Sequence, residues 1–298
     1  MRVCQDFQKY YMESAEKKGD FRYRIMLIVH SLEKGMCFSD PRPFGTEKVK
    51  DLIRKLKLCS DRYVSSFEYR LGINILYAWC DFYDEHKWEN EPMYKETRAF
   101  LSDKPKFDGI VAGRKKYTPN RFESSLFEDV VLSRHSVRDF QNKKLSDEDI
   151  NFAVKCFIET PTACNRQMCH IYCISNPEIK SLLNQVLIGI HGFNKQNVQF
   201  FIITYDLAAF AYSGERQQGL FNAGLCTMNF VNGLHAKGIG SCCLQWSNKN
   251  NEDLIVRHKI GLLDSERIAI VIGAGYYLKE NIIPCSSRRN PTDVYSII

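Results

Sequence analysis

Ser133-Arg134-His135-Ser136-Val137-Arg138-Asp139-Phe140 is the stretch that organises the rest of this 298-residue chain. Two arginines flank a hydroxyl and an imidazole, and if the segment turns into or along a helix both guanidiniums can converge on one anion. A guanidinium suits phosphate because its donors form a planar fork that makes charge-assisted bonds. The same residues would also serve as a solvated basic turn, so their chemistry depends on what the chain folds against them.

Downstream, helices and strands alternate. Ser146 followed by Asp149 is a capping arrangement for a helix running to about Glu159. A strand is expected at His170–Ser175, and Pro177 opens a helix through Leu187. Val198–Tyr205 is a nearly continuous apolar run that suits a strand buried on both faces. Gly219–Lys237 reads as a long helix, apolar along one side and ended by Gly238, and Arg267–Gly273 as another buried strand. Upstream, residues 1–103 read as mainly helical: Glu47–Leu58 and Ser66–Asp84 carry apolar residues at three- and four-residue spacing. Residues 104–121, basic and polar with Pro105, Gly109, Gly113 and Pro119, read as a connector over a surface. Helices and strands in this order make an α/β or α+β layered fold.

Two further segments can carry chemistry. Thr160-Pro161-Thr162-Ala163-Cys164-Asn165-Arg166-Gln167 should be a loop at a sheet edge, where the amides of Asn165 and Gln167 can read the polar rim of a heteroaromatic ring or satisfy loop backbone. Cys285-Ser286-Ser287-Arg288-Arg289-Asn290-Pro291 adds paired arginines, of interest because a phosphate needs more than one charge to neutralise it.

Composition narrows the classes. With 44% hydrophobic and 26% charged residues the chain is globular rather than disordered, and its early apolar run, Ile25–Val29, is too short to span a bilayer. Charges crowd the first twenty-four residues, so no secretory signal is read and a cytoplasmic protein is expected. A net charge of +6 without a basic stripe falls short of a nucleic-acid footprint. The twelve cysteines include no Cys-x-x-Cys pair, and the Cys164, Cys169, His170, Cys173 cluster reads as a buried strand rather than a metal site.

Joined in this order, the segments resemble the FMN-dependent nitroreductase family over 122–298. That family opens with Arg-(Arg/His)-Ser-x-(Arg/Lys)-x-Phe, matched by Arg134, His135, Ser136, Arg138 and Phe140. A loop ending in Asn-x-Gln-Pro follows, matched by Pro161, Ala163, Asn165 and Gln167, with Met168 where proline is usual. Asn222-Ala223-Gly224 and His235–Gly240 look like its central helix and Gly-rich exit. The resemblance implies an α+β fold with a nitroreductase-like mixed sheet flanked by helices, and a homodimer with each FMN at the subunit boundary. It further implies that Arg134, His135, Ser136 and Arg138, with Arg288 or Arg289, hold the FMN phosphate and ribityl chain, while Pro161, Asn165, Gln167 and backbone around Gln245 meet the ring.

FMN fits better than FAD, because Gly273-Ala274-Gly275 and Gly238-Ile239-Gly240 both fail as a dinucleotide loop. The expected activity passes electrons from NADH or NADPH to a nitroaromatic, quinone or related acceptor in a two-step cycle. The flavin N5 carries hydride, with no catalytic side chain and no metal. Two alternatives stay open: a catalytically silent flavin-binding partner protein, and an enzyme acting on an anionic sugar or nucleotide. The second draws on His30-Ser31-Leu32-Glu33-Lys34-Gly35, which looks like nitroreductase-like proteins of surface-polysaccharide gene clusters. His30 and Glu33 there would sit one turn apart, reaching a substrate or forming a local helix-end bond.

Overall fold

The computed structural model describes residues 2–12, 20–59, 61–119, 123–191, 193 and 197–298. The boundary expected at 121/122 lies outside the described residues.

The longer helices described in the N-terminal region are α1 (Phe21–Met36), α2 (Thr46–Lys57), α3 (Phe67–Glu85) and α4 (Pro92–Leu101). Helix α2 shows the driving pattern: Val49, Leu52, Ile53 and Leu56 recur on one face and are buried, while its other face is charged. Their shared core centres on Trp79, fully buried on α3, whose indole N–H donates to Phe44 O at 3.2 Å. From the segment that follows, Phe107, Ile110 and Ala112 pack on this core. Buried Asn74 accepts from Phe107 N and donates to Phe107 O and Ile110 O, so one side chain supplies the pairing a ladder would otherwise give.

The rest is a layered α+β unit. Helix α5 (Ser124–Ser133) precedes α6 (Asp147–Ile158), β1 (Cys169–Ile174), α7 (Pro177–Val186), β2 (Gln199–Asp206), α8 (Gln218–Ala236), β3 (Ile239–Gln245), α9 (Asn250–Ile260) and β4 (Glu266–Tyr276). The sheet order is β1-β2-β4-β3 and all three pairings are antiparallel. The parallel component among the described residues is a single bridge, Ser136 to Ser241. Along β2, Phe200 and Ile202 face the core shared with α7 and α9, while Phe201 and Ile203 face the one shared with α6 and α8. Helices α6 and α8 approach so closely at Gly233 that an added Cβ would lie 2.9 Å from Ala153 Cα.

The capping expected at Ser146 is present, its hydroxyl accepting from Asp149 N at 3.1 Å. The strand expected around His170 forms as β1, but it is an edge strand whose residues are mostly half-exposed rather than buried. Helix α8 is apolar on both faces rather than one. Ala223, Cys226, Phe230 and Leu234 are buried, while Leu220, Phe221, Leu225 and Met228 face outward. No helix among the described residues is long and apolar enough to cross a membrane.

The two regions are joined by specific bonds. Asp20 N donates to Ala208 O at 3.1 Å, and Tyr23 OH donates to Asp206 Oδ2 at 3.0 Å. Tyr10 OH and Lys9 Nζ donate to Asp264, and Arg267 pairs with Asp6.

Candidate functional site

Helix α5 ends before Arg134, whose backbone is already extended (φ −68°, ψ 122°), and the chain then runs beside β3, Val137 N donating to Ser241 O at 3.0 Å. The arginines therefore do not meet through helical spacing, as the sequence suggested. Ser136 bridges to Ser241 and Val137 turns into the core; in an extended chain residues two apart fall on one side, which is the arrangement that would let Arg134, Ser136 and Arg138 act together. Gly240 on β3 leaves Val137 room to do so. Burial pushes the Cys242 thiol up, whereas Arg138, the Ser136 hydroxyl and Arg134 pull it down, so both guanidiniums lie within electrostatic reach of that thiol. Neither Arg134 nor Arg138 has a hydrogen-bond or ion-pair partner among the described residues.

His235 on α8 joins two distant side chains that no motif connects. His235 Nε2 is 2.8 Å from Ser133 Oγ and its Nδ1 is 2.8 Å from Tyr277 OH. Burial, then the charges of Arg134 and His135, hold the His235 imidazole below its ordinary pKa.

The 160–168 loop is held in an unusual backbone. Cys164, Asn165 and Gln167 have φ of +53°, +50° and +51°, a left-handed conformation that non-glycine residues adopt at a cost. Asn165 and Gln167 are exposed, as is Pro161. What fixes the loop is Arg166, which the sequence reading passed over. Its fully buried guanidinium forks onto Glu215 (2.9 and 2.5 Å) and donates to Ala209 O and Ala163 O. Nothing in the spacing of Arg166 and Glu215 announces the pair. Met168, where the related loop has proline, is buried against Tyr10, Leu207, Ala209 and Phe210, so the N-terminal segment props this loop from behind.

Gln245 is exposed at the end of β3, on the same face as Cys243. Arg288 and Arg289 lie on an exposed tail, Arg288 donating to Ser286 O at 2.5 Å. The tail starts beside the Arg134–Phe140 segment, because Asn281 Nδ2 donates to Asp139 O at 2.9 Å.

Within one chain the two halves of the expected site are apart. The loop feeds β1 at one edge of the sheet, in the row Cys169–Tyr205–Arg267, whereas Ser136 meets β3 at the other edge, in the row Gln199–Ala274–Ser241. Three strand spacings across and about six residues along make roughly 14 Å by roughly 20 Å. They are at diagonal corners.

On α1, His30 Nδ1 and Glu33 Oε2 are 3.6 Å apart, an ion-pair distance too long for a hydrogen bond. They lie within the helix rather than at its end. Burial raises the Glu33 carboxyl, partly offset by the Gly113 N–H and His30.

The Nitroreductase family model matches residues 131–217. No curated protein sequence matches the chain. Among solved structures, a nitroreductase of Bacillus subtilis (ydfN) superposes with a TM-score of 0.51 at 16% identity, over 59% of this chain and 100% of its own. An NADH dehydrogenase/NAD(P)H nitroreductase of Parabacteroides distasonis and another of Bacteroides thetaiotaomicron each give 0.50 at 16% identity, over 59% of this chain and 98% of theirs. The likeness establishes the fold: α+β, of the nitroreductase kind.

Proposed function

From a chain whose residues 131–217 match the Nitroreductase family model, we propose an FMN-dependent oxidoreductase that passes electrons from NADH or NADPH to an organic acceptor. What supports this is that Arg134 and Arg138, two guanidiniums with no partner among the described residues, flank the Ser136 hydroxyl on the segment that bridges to β3. Cations left unpaired beside a folded strand fit a phosphate dianion. These residues would hold the phosphate, with His135 beside them and Arg288 or Arg289 reaching in from the tail. Asn165, Gln167, Pro161 and the end of β3 at Gln245 would contact the ring. Bound FMN supplies the hydride carrier. The protein's own part is to anchor the phosphate, to keep His235 near Arg134, and to hold the loop amides outward.

The diagonal separation supports a homodimer. One FMN cannot bridge those two corners of a single sheet, but a second copy can bring its loop to this chain's arginines. The outward apolar face of α8 suits such packing, as does α5, where Phe127 and Leu132 are 71% and 73% exposed. Light scattering should give a dimer when FMN is bound.

Fluorescence titration with FMN and with riboflavin, which lacks the phosphate, tests the assignment. FMN should bind more tightly than riboflavin, and Arg134→Gln should weaken FMN by about tenfold or more while sparing riboflavin. Equal affinity for the two flavins, or no flavin binding, would remove the reading.

A further inference from the structure

We propose that the cavity between α1, α2 and the 163–165 turn binds the oxyanionic group of a small organic acceptor, which makes the substrate of this chain an anion. Its redox role rests on the flavin reading above; the anion site itself does not.

The cavity encloses about 790 Å³, within the range of roughly 300–1,000 Å³ typical of small-molecule sites. One wall is the face of α1 that core packing leaves over. Ile25, Met26, Val29, Leu32 and Met36 point into the N-terminal core, so Arg24, Leu27, Ile28, Ser31 and Lys34 are free to line the space. Spacings of three and four place these side chains in one stripe, apolar in the middle and cationic at both ends. The facing wall is α2, with Lys48, Asp51 and Lys55.

Its charges do not cancel. Asp51 is already taken by Arg54 at 2.6 Å and Lys55 at 3.4 Å, and Asp20 by Arg22 at 2.8 Å. Among the described residues Lys48 Nζ has only the Ser31 hydroxyl, at 2.5 Å. Arg24 and Lys34 have no partner among the described residues. Three cations, with His30 between them, therefore face the space uncompensated, and apolar half-buried side chains separate them. A solvated helix face would not have that concave, partly apolar form.

Position gives the anion a purpose. Cys164 and Tyr212 line the same cavity. Cys164 adjoins Asn165, the residue assigned to the flavin ring, and Tyr212 N donates to Glu215, the carboxylate that holds Arg166. A molecule anchored through Arg24, Lys34 and Lys48 would thus have its other end at the cofactor loop. The N-terminal region is where this chain acquires its substrate preference.

The test is equilibrium dialysis of three probes, 4-nitrobenzoate, 4-nitrobenzyl phosphate and uncharged 4-nitrobenzyl alcohol, against the full chain with and without FMN. At least one anion should bind about tenfold or more tightly than the alcohol, and which one separates phosphate from carboxylate recognition. Arg24→Gln and Lys34→Gln should each weaken that anion about tenfold. Asp51→Asn, which frees Lys55, should tighten it, and Lys106→Gln, outside the cavity, should change nothing. Equal binding of all three probes, or a double variant of Arg24 and Lys34 that binds anions like the parent, overturns the proposal. Anion binding that depends on these residues in a chain without flavin affinity would keep this site and dismiss the flavin reading; the converse would do the reverse.

Discussion

Replacing Glu215 by Gln examines the device that sets the cofactor loop. Arg166 is fully buried and donates four bonds: two to Glu215 and one each to Ala209 O and Ala163 O. The substitution keeps the shape but leaves a buried guanidinium without its counter-charge, a change that costs about 3–5 kcal/mol. Gln retains one acceptor oxygen, so the lower end, about 3 kcal/mol, is expected. At about 2–4 °C per kcal/mol for a domain of this size, the midpoint should fall by roughly 6–12 °C.

The loss should depend on pH. Burial alone would raise the Glu215 carboxyl, but the Arg166 guanidinium and the Ala211 N–H more than offset it, and the net shift is downward. A depressed folded pKa gives stability that is full above the unfolded value, about 4.3, and is lost as pH falls through the lower folded value. The gap between parent and Glu215→Gln should therefore be constant near neutrality and shrink in acid. Thermal melts from pH 7 to 3, with urea unfolding at each pH, measure this. Replacing both partners by Met and Leu should cost less than Glu215→Gln alone, because no unpaired charge remains. A single variant that melts within a degree of the parent, or a double variant worse than the single, refutes the reasoning.

His235 titrates below its ordinary value through burial and the nearby Arg134 and His135 charges. Its stabilising contribution is complete above about pH 6.5 and declines as pH drops through the folded value; NMR should show its pKa rise when FMN binds, since a dianion offsets Arg134, and no movement on saturation would separate His235 from the phosphate site. Gly233→Ala puts a methyl 2.9 Å from Ala153 Cα, backbone rather than a pliable side chain. That overpacking should cost about 1–3 kcal/mol, and urea unfolding with an unchanged midpoint would contradict so close a helix contact.

Local patterns carried most of the fold. Ser146 with Asp149, Pro177, the run at Val198–Tyr205 and Gly238 after the long helix each mark an element by chemistry confined to a few residues, and α6, α7, β2 and α8 lie there within one or two positions. The Arg134–Phe140 motif likewise marked the segment that leaves α5 and bridges to β3, though its backbone is extended there rather than helical. Strand β3 was missed because its run of small residues, Gly240-Ser241-Cys242-Cys243, gives no alternation. What no local pattern contains is distance. That Arg166 meets Glu215, that His235 joins Ser133 to Tyr277, and that α1 walls a cationic cavity at Cys164 are contacts between residues tens to over a hundred positions apart. Such contacts depend on how layers stack, and stacking is settled by summed burial across the whole core rather than by any segment. The sequence by itself named the chemistry of each piece; tertiary structure alone decided which pieces face one another, and that one chain's arginines and loop amides do not.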